Sequence, residues 1–155
     1  ELKYLAYYDS LTGLLNRNWL YKNIDQIKTK YVYFIDINDL HKVNENGHTF
    51  GDEYIKEAIA TIKHKGTLVR YGGDEFILFS NYENDVKANT YYSVGCSIVS
   101  KSIEDSIKDS DSKMIASKKL YKLSCNVWTE RFTLAGNDYS HVYLAISGLF
   151  SCRTE

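Results

Sequence analysis

Leu68-Val-Arg-Tyr-Gly-Gly-Asp-Glu-Phe-Ile-Leu-Phe79 places a Gly-Gly pair and two acids between two apolar runs. A Gly-Gly pair between β-prone runs predicts a β-hairpin, and a turn this short is expected to use positive φ angles, which glycine accepts without strain. Asp74 and Glu75 then lie at the tip, beside backbone that carries no side chains. This arrangement suits a phosphate with its divalent metal ion, although a solvated acidic turn has the same pattern.

A second apolar run also carries an acid. Tyr31-Val-Tyr-Phe-Ile-Asp-Ile37 is rich in β-branched and aromatic residues, which is typical of a strand buried on both faces. A carboxylate inside such a run is costly unless it is paired or binds a metal ion. If the two strands are neighbours, Asp36 and Asp74 meet over one site. Hard carboxylate ligands near a glycine turn favour Mg²⁺ that carries substrate phosphates.

The composition limits the class of protein. The chain has 155 residues, is 44% hydrophobic and 25% charged, and carries a net charge of −1. These values indicate one globular domain with an ordinary core. A near-neutral charge without a basic block argues against nucleic acid as a partner. No apolar run reaches the roughly 18 residues of a membrane helix and no signal peptide is visible, so we expect a cytoplasmic protein with no membrane segment in this chain.

The motif Arg70-Tyr-Gly-Gly-Asp-Glu-Phe76 resembles the signature of GGDEF domains, the diguanylate cyclases. The resemblance covers roughly residues 4 to 123, and so many motifs in the family's order argue against chance. The further motifs are Asp9-Ser-Leu-Thr-Gly-Leu-Leu-Asn-Arg17, Phe34-Ile-Asp-Ile-Asn-Asp-Leu-His-Lys-Val-Asn44, Gly47-His48, Gly51-Asp52, Ser93-Val-Gly95 and Asp111-Ser-Lys-Met114 through Lys118.

The resemblance implies an α/β fold of the palm-like nucleotidyl-cyclase type, with a central, mostly antiparallel sheet and packed helices. Residues 1–123 would form the GGDEF (diguanylate cyclase) domain, with a short N-terminal lead-in that usually continues from an upstream sensory domain. Residues 124–155 match nothing in the family. Two β-prone runs, Asn126 to Leu134 and Tyr139 to Ser147, are joined by Ala135-Gly-Asn-Asp138 and predict a terminal β-hairpin in this tail.

Local signals complete the expected secondary structure. Asn16 is a plausible N-cap for a helix that presents an apolar stripe, and a further helix is expected to begin near Glu53. Asp9 and Arg17 could pair to fix the lead-in.

The resemblance also implies the residues of the site. The metal ions, Mg²⁺ or Mn²⁺, would be held by Asp36, the backbone carbonyl of Ile37, Asp74 and Glu75. Asp74 and Glu75 would be catalytic, with Glu75 a further metal ligand or a base near the attacking hydroxyl. His41 stands at the place of a catalytic lysine of the family. The substrate-binding residues would be Asn44, His48, Asp52, Gly72, Gly73, Lys118 and Lys122.

The chemistry of these residue types fits a guanine nucleotide. An amide and a carboxylate, here Asn44 and Asp52, can match the donor and acceptor edge of guanine, which adenine would not satisfy. Lys118 and Lys122 would reach the triphosphate. Taken singly, each polar residue could instead cap a helix or contact a loop, and the two lysines could form a solvated basic face.

The chain departs from the family at several places. Asn38 stands where the family usually has a second Asp, and His41 replaces its lysine, with Lys42 beside it. Relatives normally place a whole helix between the strands that end at Phe79 and begin at Tyr91, where this chain has only a polar stretch. A sheet covered by helices would then lack part of one face, which the tail could supply.

The expected function is condensation of two GTP into cyclic di-GMP with release of pyrophosphate. Each domain would hold one GTP, so a homodimer is required. Two alternatives stay open. The first is a weakly active or degenerate GGDEF domain that binds GTP as a regulatory module, which His41 and the missing helix favour. The second is a related palm polymerase that makes another cyclic nucleotide, against which Asn44 and Asp52 count.

Overall fold

The computed structural model describes the backbone of residues 2–131 and the side chains of residues 2 and 6–126. A 3₁₀ turn at Ile24–Gln26 follows the second helix. The other elements, in chain order, are α1 (Leu2–Tyr7), β1 (Leu15–Asn16), α2 (Arg17–Asn23), β2 (Tyr31–Ile37), α3 (Leu40–Asn44), α4 (His48–Ala60), β3 (Thr67–Arg70), β4 (Glu75–Ser80), β5 (Tyr92–Ile98) and α5 (Ile103–Arg131).

The strands form one five-stranded sheet in the order β1-β3-β4-β2-β5. Only β1 and β3 are parallel; the other neighbouring pairs are antiparallel. Strands β3 and β4 are the predicted hairpin, with Leu68 opposite Leu78. The predicted buried strand is β2, and it lies between β4 and β5. The expected α/β fold with a mostly antiparallel sheet is therefore confirmed.

Each face of the sheet carries its own apolar cluster, because successive side chains of a strand point to opposite faces. Alternate residues of β2 enter the two clusters. The first cluster lies under α4 and includes Tyr33, Ile35, Ile37, Ile55, Ala58, Phe76 and Leu78. The second lies under α2 and the first half of α5 and includes Leu20, Val32, Phe34, Val69, Ile77, Ile103 and Met114.

Helix α5 packs closely on β5, an edge strand of the sheet, because Gly95 has no side chain. A Cβ atom at Gly95 would lie 2.0 Å from the carbonyl oxygen of Ser110 and 2.2 Å from the amide nitrogen of Met114. Gly95 is paired with Phe34 of β2. The helix is thus held close to the strand that carries Asp36, and its next turns pass over the end of that strand.

Two predictions of secondary structure are wrong. Helix α4 begins at His48 rather than near Glu53, so Gly51 and Asp52 lie inside it. Residues 126–131 are helical as part of α5, where a β-strand was expected; the rest of the predicted hairpin lies outside the described residues. The chain has no proline, and no glycine lies between Gly95 and Gly136, so no helix-breaking residue ends α5 at residue 124.

Among the described residues, no helix has the length and apolar character needed to span a membrane.

The segment between β4 and β5 contains no helix, as expected from its polar sequence. Val86 and Ala88 of this segment are nevertheless buried in the cluster under α4. The hydroxyl of Tyr33 donates to the carbonyl oxygen of Tyr82 at 2.7 Å and ties the start of the segment to the sheet. Part of the face that a helix would cover is therefore covered by the segment itself.

Candidate active site

The hairpin turn and the end of β2 bring three carboxylates together. Asp36 is paired with Glu75 in the register of β2 and β4. The N–H of Ile37 donates to the carbonyl oxygen of Asp74 at 2.9 Å, which places the turn directly beside the end of β2. The meeting of Asp36 and Asp74 that the sequence predicts thus occurs, and Glu75 joins them on the same face of the sheet.

Burial and mutual repulsion perturb these acids. Asp36 is 7% exposed, and burial raises its pKa, with a further contribution from Asp74 that is opposed by Lys118. Burial also raises the pKa of Glu75, and Asp36, Asp74 and Asp111 add to this effect. Negative charge is therefore concentrated at this edge of the sheet, as in a site built to bind cations or cationic groups.

Helix α5 brings two lysines to the same place. The ammonium group of Lys118 forms an ion pair with Asp36, and Lys122 also favours the ionised form of Asp36. A small cleft of about 100 Å³ lies here, and its lining consists of Ile37, Asn38, Asp39, Leu40, His41, Asp74, Lys118, Tyr121 and Lys122. Five of the residues selected from the sequence (Ile37, His41, Asp74, Lys118 and Lys122) therefore line one cleft.

The glycines of the turn do not adopt the positive φ angles that the sequence predicts. Among the described residues, the glycines with positive φ are Gly13 and Gly47, so Gly72 and Gly73 do not use the left-handed region. A Cβ at Gly72 would lie 2.6 Å from Oε2 of Glu75, whereas a Cβ at Gly73 would meet no atom within 4 Å. Gly72 thus makes room for the Glu75 side chain, and Gly73 leaves open space beside the carboxylates.

Arg70 holds the backbone of the turn in place, a role that the sequence did not indicate. Its guanidinium donates to the carbonyl oxygens of Gly72 and Gly73 at 3.2 and 2.7 Å. It also binds both carboxylate oxygens of Asp9, at 3.0 and 2.9 Å. The expected pair between Asp9 and Arg17 is therefore wrong. Arg17 is exposed and its guanidinium lies 4.4 Å from the ring centre of Tyr71, whereas Asp9 pairs with Arg70.

The residues expected to read guanine lie where α3 meets α4. A Cβ at Gly51 would lie 1.8 Å from Oδ1 of Asn44, so the Asn44 side chain rests directly on the backbone of α4. Asp52 follows Gly51, and His48 is the first residue of the same helix; both are exposed. Within the described part of the chain, the side chains of Asn44 and Asp52 make no hydrogen bond, so their polar groups are available to a ligand.

Asn38 faces inward and away from a metal-binding role. Its side chain is fully buried. The amide nitrogen donates to the carbonyl oxygens of Asn89 and Thr90 at 3.4 and 3.3 Å, and the amide oxygen accepts a hydrogen bond from Ser93 at 2.8 Å. The amide thereby anchors the segment that precedes β5, and a carboxylate could not make the two donations.

We therefore expect Asn38→Asp to destabilise the fold by about 2 to 4 kcal/mol, because it places a buried charge against two carbonyl oxygens. Urea denaturation at pH 7.5 would measure the loss. Asn18→Asp, at an exposed position of α2, is the matched control and should change stability by less than about 0.5 kcal/mol. Equal stability of Asn38→Asp and wild type would show that the amide does not face these carbonyl groups.

The donor set fits a metal ion that arrives with its substrate. Among the side chains that the structure describes (residues 2 and 6–126), no group of three or more His, Cys, Asp or Glu is arranged to hold a metal ion unaided. Mg²⁺ is usually bound by one or two carboxylates together with substrate phosphates and water. Asp36 and Asp74 provide such a pair of hard oxygen ligands, and the open space beside Gly73 would admit a phosphate.

Solved GGDEF domains share this fold. The crystal structure of the coiled coil and GGDEF domain of DgcB from Caulobacter crescentus in complex with c-di-GMP aligns with a TM-score of 0.60 and 19% identity, over 76% of this chain and 83% of that chain. Diguanylate cyclase SiaD from Pseudomonas aeruginosa, in complex with its activator SiaC, aligns with a TM-score of 0.62 and 20% identity, over 76% and 60%. At these identities the likeness concerns the fold alone.

The family model for the diguanylate cyclase GGDEF domain matches residues 6–117. This chain belongs to the GGDEF domain family. It is 36% identical over 93 residues to cyclic di-GMP phosphodiesterase PdeR of Escherichia coli K12, which is 52% of this chain and 14% of PdeR. It is 33% identical over 93 residues to diguanylate cyclase DgcP of the same organism, which is 51% of this chain and 27% of DgcP. The aligned part is thus a small share of these relatives.

Proposed function

We propose that this domain is a diguanylate cyclase that condenses two GTP into cyclic di-GMP and releases pyrophosphate. The observation that carries the proposal is the convergence of Asp36, Asp74 and Glu75 at one edge of the sheet, with Lys118 and Lys122 over them. Carboxylates for metal ions and ammonium groups for phosphates are the two requirements of phosphoryl-transfer sites.

GTP would lie across the end of β2. Lys118 and Lys122 would bind its triphosphate, and the open space beside Gly73 would allow the phosphates to approach the turn, next to Gly72. At the other end, Asn44 and Asp52 would hydrogen-bond the guanine edge, with His48 near the nucleotide on the same helix. The side chains of Asn44 and Asp52 make no hydrogen bond within the described residues, which supports this placement because both can bond the guanine edge.

Asp36, Asp74 and the carbonyl of Ile37 would hold Mg²⁺ or Mn²⁺, with Glu75 as a further ligand. The metal would neutralise the phosphate charge and assist the attacking hydroxyl. Lys118 forms an ion pair with Asp36 in the structure. Once a metal ion binds Asp36, the Lys118 ammonium group would move to the triphosphate and pair with it instead. Its long, flexible side chain suits such a change of partner.

Glu75 would accept the proton of the attacking hydroxyl if it acts as a base. The raised pKa of Glu75, caused by burial and by the neighbouring acids, makes it a stronger base than an ordinary glutamate. The 3′-hydroxyl of one GTP would attack the α-phosphorus of the other, and pyrophosphate would leave. Because each domain holds one GTP, two domains must face each other, and a homodimer is part of the proposal. Use of GTP also agrees with the expected cytoplasmic location.

A second candidate is a GTP-binding regulatory module with little turnover. The similarity to PdeR, which is named a phosphodiesterase, favours it, because the domain occurs in proteins that are not named cyclases. His41 in place of the expected lysine also favours low activity. The intact turn from Gly72 to Glu75 counts against it.

Product analysis separates these candidates from each other and from a palm polymerase of different specificity. The protein is incubated with GTP, ATP or both, plus Mg²⁺, and the products are identified by mass. Cyclic di-GMP from GTP alone, at a rate that rises more than linearly with protein concentration, is the expected result. Binding of GTP without product would establish the regulatory module, and an adenine-containing product would establish the polymerase.

A further inference from the structure

Tyr121 joins helix α5 to the loop that follows β2. Its hydroxyl donates to Oδ2 of Asp39 at 2.5 Å, and Oδ1 of Asp39 lies 3.2 Å from the ammonium nitrogen of Lys42. Both carboxylate oxygens of Asp39 therefore have a partner. The ring of Tyr121 packs against the apolar cluster under α4, which fixes the position of its hydroxyl.

The carboxylate of Asp39 lies in the cleft proposed to bind the triphosphate. It lines the same cleft as Lys118 and Lys122, which the proposed function assigns to the triphosphate. A carboxylate in this cleft would repel the phosphates and would also compete with them for the lysines. Asp39 forms no ion pair with either of these lysines among the contacts within residues 2–131.

The backbone of Asp39 is fixed as well as its side chain. Its φ of 59° and ψ of 16° lie in the left-handed region, which residues other than glycine seldom adopt. Its carbonyl oxygen accepts hydrogen bonds from the N–H groups of Lys42 and Val43, at 3.0 and 3.2 Å. Such a conformation persists when its surroundings enforce it, and the contact with Tyr121 is one of the enforcing interactions.

The protonation states agree with this geometry. Burial alone would raise the pKa of Asp39, but the hydrogen bond from Tyr121 and the charge of Lys42 bring that pKa below its ordinary value. Burial and Asp39 raise the pKa of Tyr121 well above its ordinary value. The hydrogen bond thus joins the Tyr121 hydroxyl as donor to the Asp39 carboxylate as acceptor.

We propose that Tyr121 is a positioning residue for the triphosphate. Its hydroxyl, together with Lys42, directs the Asp39 carboxylate away from Lys118 and Lys122 and so leaves both ammonium groups to the phosphates of GTP. The inference rests on the proposed function in one respect, that the cleft takes a triphosphate. Without the hydroxyl, Oδ2 of Asp39 would lose its partner and would turn toward Lys118 or Lys122 in the same cleft, and phosphate binding would weaken.

Tyr121→Phe tests the proposal because it keeps the ring and removes only the hydroxyl. Loss of a hydrogen bond to a charged group commonly costs about tenfold or more in an equilibrium. We expect binding of inorganic tripolyphosphate with Mg²⁺, measured by calorimetry, to weaken about tenfold, and the KM for GTP to rise by a similar factor while kcat changes less than about twofold. Tyr33→Phe removes a hydroxyl that bonds the carbonyl oxygen of Tyr82, and as a matched control it should leave binding unchanged.

The Asp39→Ala background decides whether Tyr121 acts through Asp39. There, Tyr121→Phe should change tripolyphosphate binding less than about twofold. Unchanged binding in the single Tyr121→Phe variant, or an equal loss with and without Asp39, would overturn the inference. If the wild type binds tripolyphosphate and GTP but forms no cyclic dinucleotide, the cyclase proposal fails while the binding data still decide the role of Tyr121.

Discussion

Asp74→Ala should reduce formation of cyclic di-GMP by about 10³-fold or more. Asp74 is one of few carboxylates at the site, and removal of a charged group that stabilises the transition state commonly costs on the order of 10² to 10³ in rate, before any loss of metal binding is counted. The turn itself should persist, because its backbone contact uses the carbonyl oxygen of Asp74 and the N–H of Ile37. The measurement is the initial rate of pyrophosphate release with GTP and Mg²⁺.

Two further variants make this result specific. Asp74→Asn keeps the size of the side chain and removes its charge, so it should be nearly as inactive as Asp74→Ala. Asp25→Ala removes an exposed carboxylate in the 3₁₀ turn after α2 and should leave the rate within about twofold. Unchanged turnover in Asp74→Ala would remove Asp74 from the mechanism.

His41→Lys should raise the turnover of GTP at pH 7.5 by about tenfold, with little change in GTP affinity. The structure places His41 at the cleft beside Asp74 and Lys118. A lysine is cationic throughout the physiological range, which a histidine is not. The added charge would stabilise the negative charge that develops on the triphosphate. Lys42 does not supply this charge, because its ammonium group pairs with Asp39.

Steady-state pyrophosphate release by wild type, His41→Lys and His41→Ala measures the effect. Asn46→Lys, which adds one positive charge at an exposed position just after α3, controls for a general gain from positive charge and should not raise the rate. If His41→Lys is no faster than wild type, or His41→Ala equals wild type, His41 lies outside the catalytic shell.

Local sequence was sufficient for the elements near the turn. The Gly-Gly pair between two apolar runs predicted the β3–β4 hairpin, and the β-branched and aromatic run predicted the buried strand β2 that carries Asp36. Asn16 caps α2 as expected, since its side chain accepts a hydrogen bond from the N–H of Trp19. These features depend on residues a few positions apart, whose periodicity and turn chemistry are visible in the chain itself.

Only the tertiary structure decided how the parts are joined. Arg70 and Asp9 are 61 positions apart, and Tyr121 and Asp39 are 82 apart, so no local pattern reveals either pair. Nothing in the sequence showed that Asn38 faces the segment before β5, because both faces of β2 are buried and the direction of a side chain just past its end depends on the partners it finds.

The glycines and helix α5 also separate what the sequence predicts from what only the packing decides. The sequence shows that Gly72, Gly73 and Gly95 lack side chains. Only the packing shows that the Glu75 side chain occupies the space beside Gly72 and that the backbone of α5 occupies the space beside Gly95. Residues 126–131 are likewise helical within α5 despite their β-prone composition, and no proline or glycine interrupts the helix there. The sequence by itself determined which chemical groups the site contains, because motif spacing is local. The tertiary structure decided which of them meet, because a hydrogen bond or an ion pair forms only between groups that the packed sheet and helices bring within a few ångströms of each other.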